Sequence, residues 1–119
     1  VPRELRKIVF SAGEVQAAAV GHCLHAKIPL PEANITRIDI GEDPLATVVL
    51  HFSTSHPADP TEVALTREEV AAALIRRCVE HHIPLPRQAQ KLLHTEDDGI
   101  ALMINIDHVA ERKGRRKRA

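Results

Sequence analysis

Two short stretches carry most of the reactive side chains in this chain. His22-Cys23-Leu24-His25 places three potential metal ligands within one helical turn, and Cys78, His81 and His82 offer a second set. Tetrahedral zinc sites need four ligands that converge, usually supplied by CxxC or HxxxH-like spacings. On a helix, Cys23 falls on the inward stripe while His22 and His25 fall on the outer surface. His22 and His25 are replaced by Arg77 and Glu80 at the matching positions of the second set. The expectation is therefore no metal and no cofactor, with Cys23 and Cys78 serving as small apolar core residues. A Cys23–Cys78 disulfide is geometrically conceivable.

A third stretch, HFSTSHPADP, crowds His51, Ser53, Ser55, His56 and Asp59 together. A Ser-His-Asp triad is defined by geometry in space, and proximity along the chain does not make one. The chain has no GxSxG elbow, P-loop or GxGxxG. The acidic run Glu96-Asp97-Asp98-Gly99 lacks the spaced ligands of a calcium loop and reads as a hairpin turn. No catalytic residues are assigned, and an enzyme is the less favoured class. The competing expectation is a small-molecule or catalytic groove between the two halves, lined by His22, His25, His81 or His82.

The strongest electrostatic feature lies at the end. Arg112, Lys113, Arg115, Arg116, Lys117 and Arg118 are six of the sixteen Lys and Arg residues, and all sixteen Asp and Glu residues precede them. The remaining body therefore carries ten basic and sixteen acidic residues, a net of −6. A basic run of this kind attracts phosphate backbones or an acidic protein. Only Phe10 and Phe52 are aromatic, so the chain lacks the stacking platforms of common single-strand binding modules.

The elements that must position these residues are legible from a repeat. IPLP stands at residues 28–31 and again at 83–86, and the two cysteines share the same offset of 55. Aligned at that offset, residues 10–53 and 65–108 match without a gap, with eleven identities. Two copies are too few for a solenoid, so a closed pseudo-twofold domain is expected.

Each copy predicts β-α-β-β. Residues 7–10 and 62–65 read as short strands, and residues 1–6 as loosely held. Ser11-x-x-Glu14 and Thr66-x-x-Glu69 are capping boxes that open helices over residues 12–27 and 67–82. The expected inward stripes are Val15, Ala19, Val20, Cys23 and Leu24, then Val70, Leu74, Ile75, Cys78 and Val79. Pro29 and Pro84 stop the helices. Hairpins follow over residues 34–40 with 45–52, and 89–95 with 100–106.

The expected fold is α+β: a tandem duplication of a β-α-β-β unit forming one domain. Its mainly antiparallel sheet of about six strands would carry both helices on one face. Repeat 1 spans about 7–53, a linker 54–60, repeat 2 about 61–108, and the basic tail 109–119. The expected function is a small non-enzymatic interaction module that contacts nucleic acid or an acidic partner through Arg112, Lys113, Arg115, Arg116, Lys117 and Arg118, with homo-oligomerisation a further expectation. No apolar run is long enough to span a bilayer, and two cysteines without a signal-peptide pattern point to the cytoplasm.

Overall fold

The computed structural model describes residues 2–53, 58 and 61–107. The element order is β1 (Arg3–Ser11), α1 (Ala12–His25), β2 (Ile35–Ile40), β3 (Val48–Phe52), β4 (Glu62–Leu65), α2 (Arg67–Glu80), β5 (Gln90–Glu96) and β6 (Gly99–Asp107). The fold is α+β with six antiparallel strands and two helices among the described residues.

The strands do not form one sheet. They form two, in the orders β1-β6-β5 and β2-β3-β4. Each sheet joins the hairpin of one half to the first strand of the other: β1 lies beside β6, and β4 lies beside β3. The helix and its proline-containing connection carry each hairpin away from the strand that precedes it. The strand then completes the opposite sheet. The expectation of a single six-stranded sheet is corrected accordingly, as is that of two helices on one sheet face. α1 packs on β1 and β6, α2 packs on β4, and the helices pack on each other.

β1 is longer than its apolar run suggests, and residues 3–6 belong to it. Its pairing to β6 continues from Ser11 opposite Gly99 out to Arg3 opposite Asp107. The partner strand supplies the hydrogen bonds that local hydrophobicity does not predict.

Both helices start as their sequences dictate. Ser11 accepts from the Glu14 amide at 3.3 Å while the Glu14 carboxylate accepts from the Ser11 amide at 3.0 Å. Thr66 and Glu69 repeat the arrangement. Both ends are also alike. Ile28 N–H donates to Cys23 C=O and Lys27 N–H to Leu24 C=O, and Ile83 and His82 do the same toward Cys78 and Val79. These are Schellman closures, in which the residue after the cap is left-handed. Here that residue is Lys27 (φ 58°) or His82 (φ 57°). IPLP thus begins on the residue that closes the helix. Ile28, Leu30 and Leu85 pack against the core.

A left-handed conformation costs a residue with a Cβ about 1 kcal/mol that glycine avoids. Lys27→Gly and His82→Gly should therefore each raise stability by roughly 0.5–1 kcal/mol in urea unfolding. A loss of stability in either variant would contradict the cap geometry.

The buried stripes are Val15, Ala18, Ala19 and Cys23 in α1, and Val70, Ala73, Leu74 and Cys78 in α2. Leu24 and Val79, expected inward, are 68% and 64% exposed. At about 100° per residue, position i+9 lies on the opposite side of the helix from i. Position i+3 is the one that completes the inward arc. The core joins these stripes to the inner faces of both sheets, including Leu50, Leu65, Ile100, Leu102 and Ile104.

The gapless offset of 55 holds through the helices and the strands beside them, then fails. Ile38 faces Leu50 and Ile40 faces Val48, whereas Leu93 faces Leu102 and Thr95 faces Ile100. Leu93 is 55 beyond Ile38, but Leu102 is 52 beyond Leu50. The first hairpin turn is three residues longer. The apparent matches Ala46/Ala101 and Val49/Ile104 are not structural counterparts. Val48/Ile100, Leu50/Leu102 and Phe52/Ile104 are.

Candidate functional site

The candidate metal ligands do not converge. Cys23 and Cys78 are buried and free, and burial pushes both thiols up from their ordinary range. His22 turns toward α2, with Nε2 3.9 Å from the Glu69 carboxylate. His25, His81 and His82 are exposed. No group of three His, Cys, Asp or Glu residues capable of holding a metal occurs among the described residues.

The match of His22 to Arg77, unhelpful for a metal, has a different reason. Glu14 and Glu69 are the capping glutamates at the two helix starts. Basic side chains near the C-terminus of the other helix stand opposite them: His22 faces Glu69, and Arg77 and His81 face Glu14. The helices therefore run antiparallel, with basic side chains of each near the capping glutamate of the other.

Of the Ser/His/Asp cluster, His51 and Ser53 lie among the described residues, and each has a partner outside the cluster. The Ser53 hydroxyl donates to Asn34 C=O, at 3.5 Å. His51 sits on the outer face of the β2-β3-β4 sheet between two carboxylates, with Nε2 2.7 Å from Asp39 and Nδ1 3.6 Å from Glu62. Arg37 completes the cluster, 3.3 Å from both His51 Nε2 and Asp39 Oδ1. The hydrogen bond from His51 lowers the Asp39 carboxyl pKa. These pairs follow from register, because Arg37, His51 and Glu62 are neighbours in one cross-strand row. Ser55, His56 and Asp59 lie outside the described residues.

Concave surface occurs at both ends of the β1-β6-β5 sheet. At the turn end, a groove of about 880 Å³ runs between β2 and the β5–β6 turn. Ile38 and Ile40 line one side, and Glu42, Asp43, Glu96, Asp97 and Asp98 surround it with His94. Asp43 joins the two sheets here. It accepts from Thr95 N–H at 2.9 Å and lies 2.6 Å from His94 Nδ1. The Thr95 amide bond holds the Asp43 carboxyl below its usual range. Lys7 crosses from β1 to pair with Glu96, and its hydrogen bond lowers the Glu96 pKa.

Glu14, Glu96, Asp39 and Asp43 are all lowered, Glu14 chiefly through the Ser11 backbone hydrogen bond. Each is deprotonated more readily folded than unfolded. Each contributes stability above its ordinary value, 4.5 for Glu and 3.8 for Asp, that is lost as pH falls through the lowered folded value. Thermal unfolding should shift to lower temperature below about pH 4.5, and Glu14→Gln with Glu96→Gln should make that decline shallower. An unchanged acid limb in the double variant would count against these hydrogen bonds.

At the other end, a groove of about 660 Å³ lies among the start of β1, the loop after the second IPLP, and the end of β6. Arg3, Glu4, Arg87, Gln88, Gln90, Asn105 and Asp107 are among the residues that line it. Lys91 ties the loop down by donating to Pro86 C=O at 2.9 Å and Ala89 C=O at 3.4 Å. β6 ends at this groove with Asp107, and the chain continues from there toward the basic run. Arg112, Lys113, Arg115, Arg116, Lys117 and Arg118 lie outside the described residues.

Neither groove is lined by His22, His25, His81 or His82. His94 does line one, and alternation along β5 is the sequence signal that puts it on an exposed face. The groove with Arg3, Arg87 and the three amides had no signal in the sequence. Its walls come from three segments brought together by the exchange of β1. No protein-family model, curated protein or solved structure matches the chain. No helix among the described residues is long and apolar enough to cross a membrane.

Proposed function

We propose that this chain is a small non-enzymatic interaction module that binds nucleic acid through its basic C-terminal tail. The observation that carries the reading is the segregation of charge. Six cations stand together in residues 112–118, after a body with a net charge of −6. We further read the domain as a duplicated β-α-β-β unit with a pseudo-twofold relation between its halves. The paired capping boxes, the left-handed residues at 27 and 82, and the reciprocal strand exchange support that reading. The free, buried thiols fit a reducing compartment.

An extended cationic segment binds phosphates with little sequence preference, and its affinity falls with salt through counterion release. Up to six phosphate contacts predict a log–log salt slope approaching about −4 on a single strand, at roughly −0.7 per contact. Fluorescence anisotropy with a labelled single-stranded oligonucleotide, from 50 to 200 mM salt, reads this slope. Deleting residues 112–119 should remove most of the affinity and most of the slope. Binding that is unchanged by the deletion would overturn the tail's role. Binding of an acidic polypeptide in place of the oligonucleotide would redirect the partner to a protein.

A further inference from the structure

The two sheets have edges at β1, β5, β2 and β4, and these are not equally protected. β2 carries a register shift between Ile35 and Arg37, and β4 has only four residues. Both features blunt an edge against further pairing. On β5, Asp43 takes the outward Thr95 N–H, and Lys91 donates back to Pro86 C=O and Ala89 C=O of the loop before it. β1 holds in one sheet the place that β4 holds in the other, yet it runs for nine residues. Among the described residues, no strand pairs with its far side. Leu5 and Val9 on it are 60% and 56% exposed.

The ladder fixes which backbone groups β1 leaves open. Thr95 N–H points away from β6, where Asp43 accepts it. Bonding alternates along an antiparallel strand, so β5 bonds β6 through Gln90, Leu92, His94 and Glu96. β6 then turns Ile100, Leu102, Ile104 and Ile106 toward β1, whose bonding residues are their partners Glu4, Arg6, Ile8 and Phe10. Arg3, Leu5, Lys7 and Val9 therefore direct their N–H and C=O groups to the open edge.

An open edge accepts another strand, and the side chains of β1 select a second copy of β1 itself. A twofold axis normal to the sheet makes the two strands antiparallel, keeps their faces aligned and sets one residue against its own image. Centring on Arg3, Glu4, Arg6 or Lys7 would set a charge against itself, which is repulsive. Centring at Ile8 or beyond leaves Leu5 opposite Ser11 or past the end of the partner strand. Centring on Leu5 sets leucine against leucine, and Glu4 of each copy against Arg6 of the other. Arg6 and Glu4 already lie 3.0 Å apart within one copy, so the pairing makes an alternating cluster of four charges. Arg3 then faces Lys7, but each has a carboxylate in its own sheet: Asp107 stands opposite Arg3, and Glu96 pairs with Lys7.

We propose that β1 pairs antiparallel with β1 of a second copy, centred on Leu5, so that the β1-β6-β5 sheet continues across a twofold axis. Each Leu5 exchanges its N–H and C=O bonds with the other. Contact through residues 3–7 buries less than the roughly 1,200 Å² of a standard interface, which places the dimer in the weak, reversible class. Pairing at this edge is independent of nucleic-acid binding by the tail.

Sedimentation equilibrium on the full chain, from about 10 μM to about 1 mM, covers the range of such an interface. The mass should rise from 13.1 kDa toward twice that value. Leu5→Lys puts a charge against its own image and should raise the dimer Kd at least about tenfold. Its urea unfolding should match the parent's, because Leu5 is largely exposed. Glu4→Arg and Arg6→Glu should each weaken the dimer about fivefold, and the two together should return it to within about twofold of the parent. Leu5→Cys should form an intermolecular disulfide under mild oxidation, since opposed Cα atoms stand about 5.5 Å apart. Lys7→Cys should not, because its image lies about 13 Å along the strand. Cys23 and Cys78 are buried and do not compete. A mass of 13.1 kDa at every concentration would overturn the second copy as occupant and leave the edge to an extended segment of another protein. A dimer that survives Leu5→Lys would overturn the assignment to β1. Cross-linking at position 7 in place of position 5 would overturn the register.

Discussion

Gly99→Ala should destabilise the protein by about 3 kcal/mol or more, the upper range for forcing extra atoms into a packed site. A Cβ built on Gly99 would lie 1.9 Å from the Phe10 carbonyl oxygen and 3.0 Å from its carbon. Backbone cannot move aside as the tip of a flexible side chain can, so β1 would have to lift from β6. The damage would spread because Gly99 pairs with Ser11, and Ser11 is also the N-cap of α1. Phe10, only 3% exposed, would be drawn out of the core with it. Gly21→Ala is the matched control. A Cβ there meets nothing within 4 Å, and alanine in a helix is favoured over glycine by up to about 1 kcal/mol. Urea unfolding should place the two variants on opposite sides of the unmodified protein. A Gly99→Ala midpoint within experimental error of the parent would mean that β1 and β6 do not approach as described.

Leu50→Ala and Leu102→Ala should each cost roughly 2–5 kcal/mol, the range for a leucine removed from a packed core. Both are fully buried on the central strand of a sheet. Ile38 and Val63 flank Leu50, and Leu93 and Ile8 flank Leu102. The pair tests more than burial. At a constant offset of 55, Leu50 would correspond to Asn105, which is exposed. In the observed register it corresponds to Leu102. Asn105→Ala should therefore stay within about 0.5 kcal/mol of the parent, as surface changes usually do. Comparable losses at Leu50 and Leu102 with none at Asn105 would verify the register. A small loss at Leu102 would contradict it.

Much of the local structure was readable because it depends on neighbours in the chain. Ser11 with Glu14 and Thr66 with Glu69 close their capping boxes within three residues, and the helices begin where those pairs place them. Pro29 and Pro84 bar helix propagation by their own covalent structure. Glu62–Leu65 is a strand with the bounds expected. Errors arose where a long-range partner decided the outcome. Residues 3–6 are polar yet extended, since β6 lies alongside them. The three extra residues of the first hairpin turn were hidden because Ala, Val and Ile on either side align well by chance.

The candidate sites divide in the same way. The histidines beside Cys23 and Cys78 looked like ligands because helix neighbours are close in sequence. Helical geometry spreads them, with the thiols inward and most of the imidazoles in solvent. His22 and Arg77 gained their meaning only once the two helices lay antiparallel, each facing the other's capping glutamate. The Arg3, Arg87 and Asn105 groove gathers residues from β1, the second IPLP loop and β6.

By itself, the sequence determined that two capped helices and two hairpins would form, that leucine, isoleucine and valine would build the core, and that charge would be divided between an acidic body and a basic tail. These follow from capping, periodicity and composition, whose physics acts over a few residues or over the whole chain at once. Only the tertiary structure decided that the strands make two sheets instead of one, that the halves exchange their first strands, and that the concave surfaces lie at the two ends of the β1-β6-β5 sheet. Those outcomes depend on which strand edge meets which, a choice made between segments up to about a hundred residues apart.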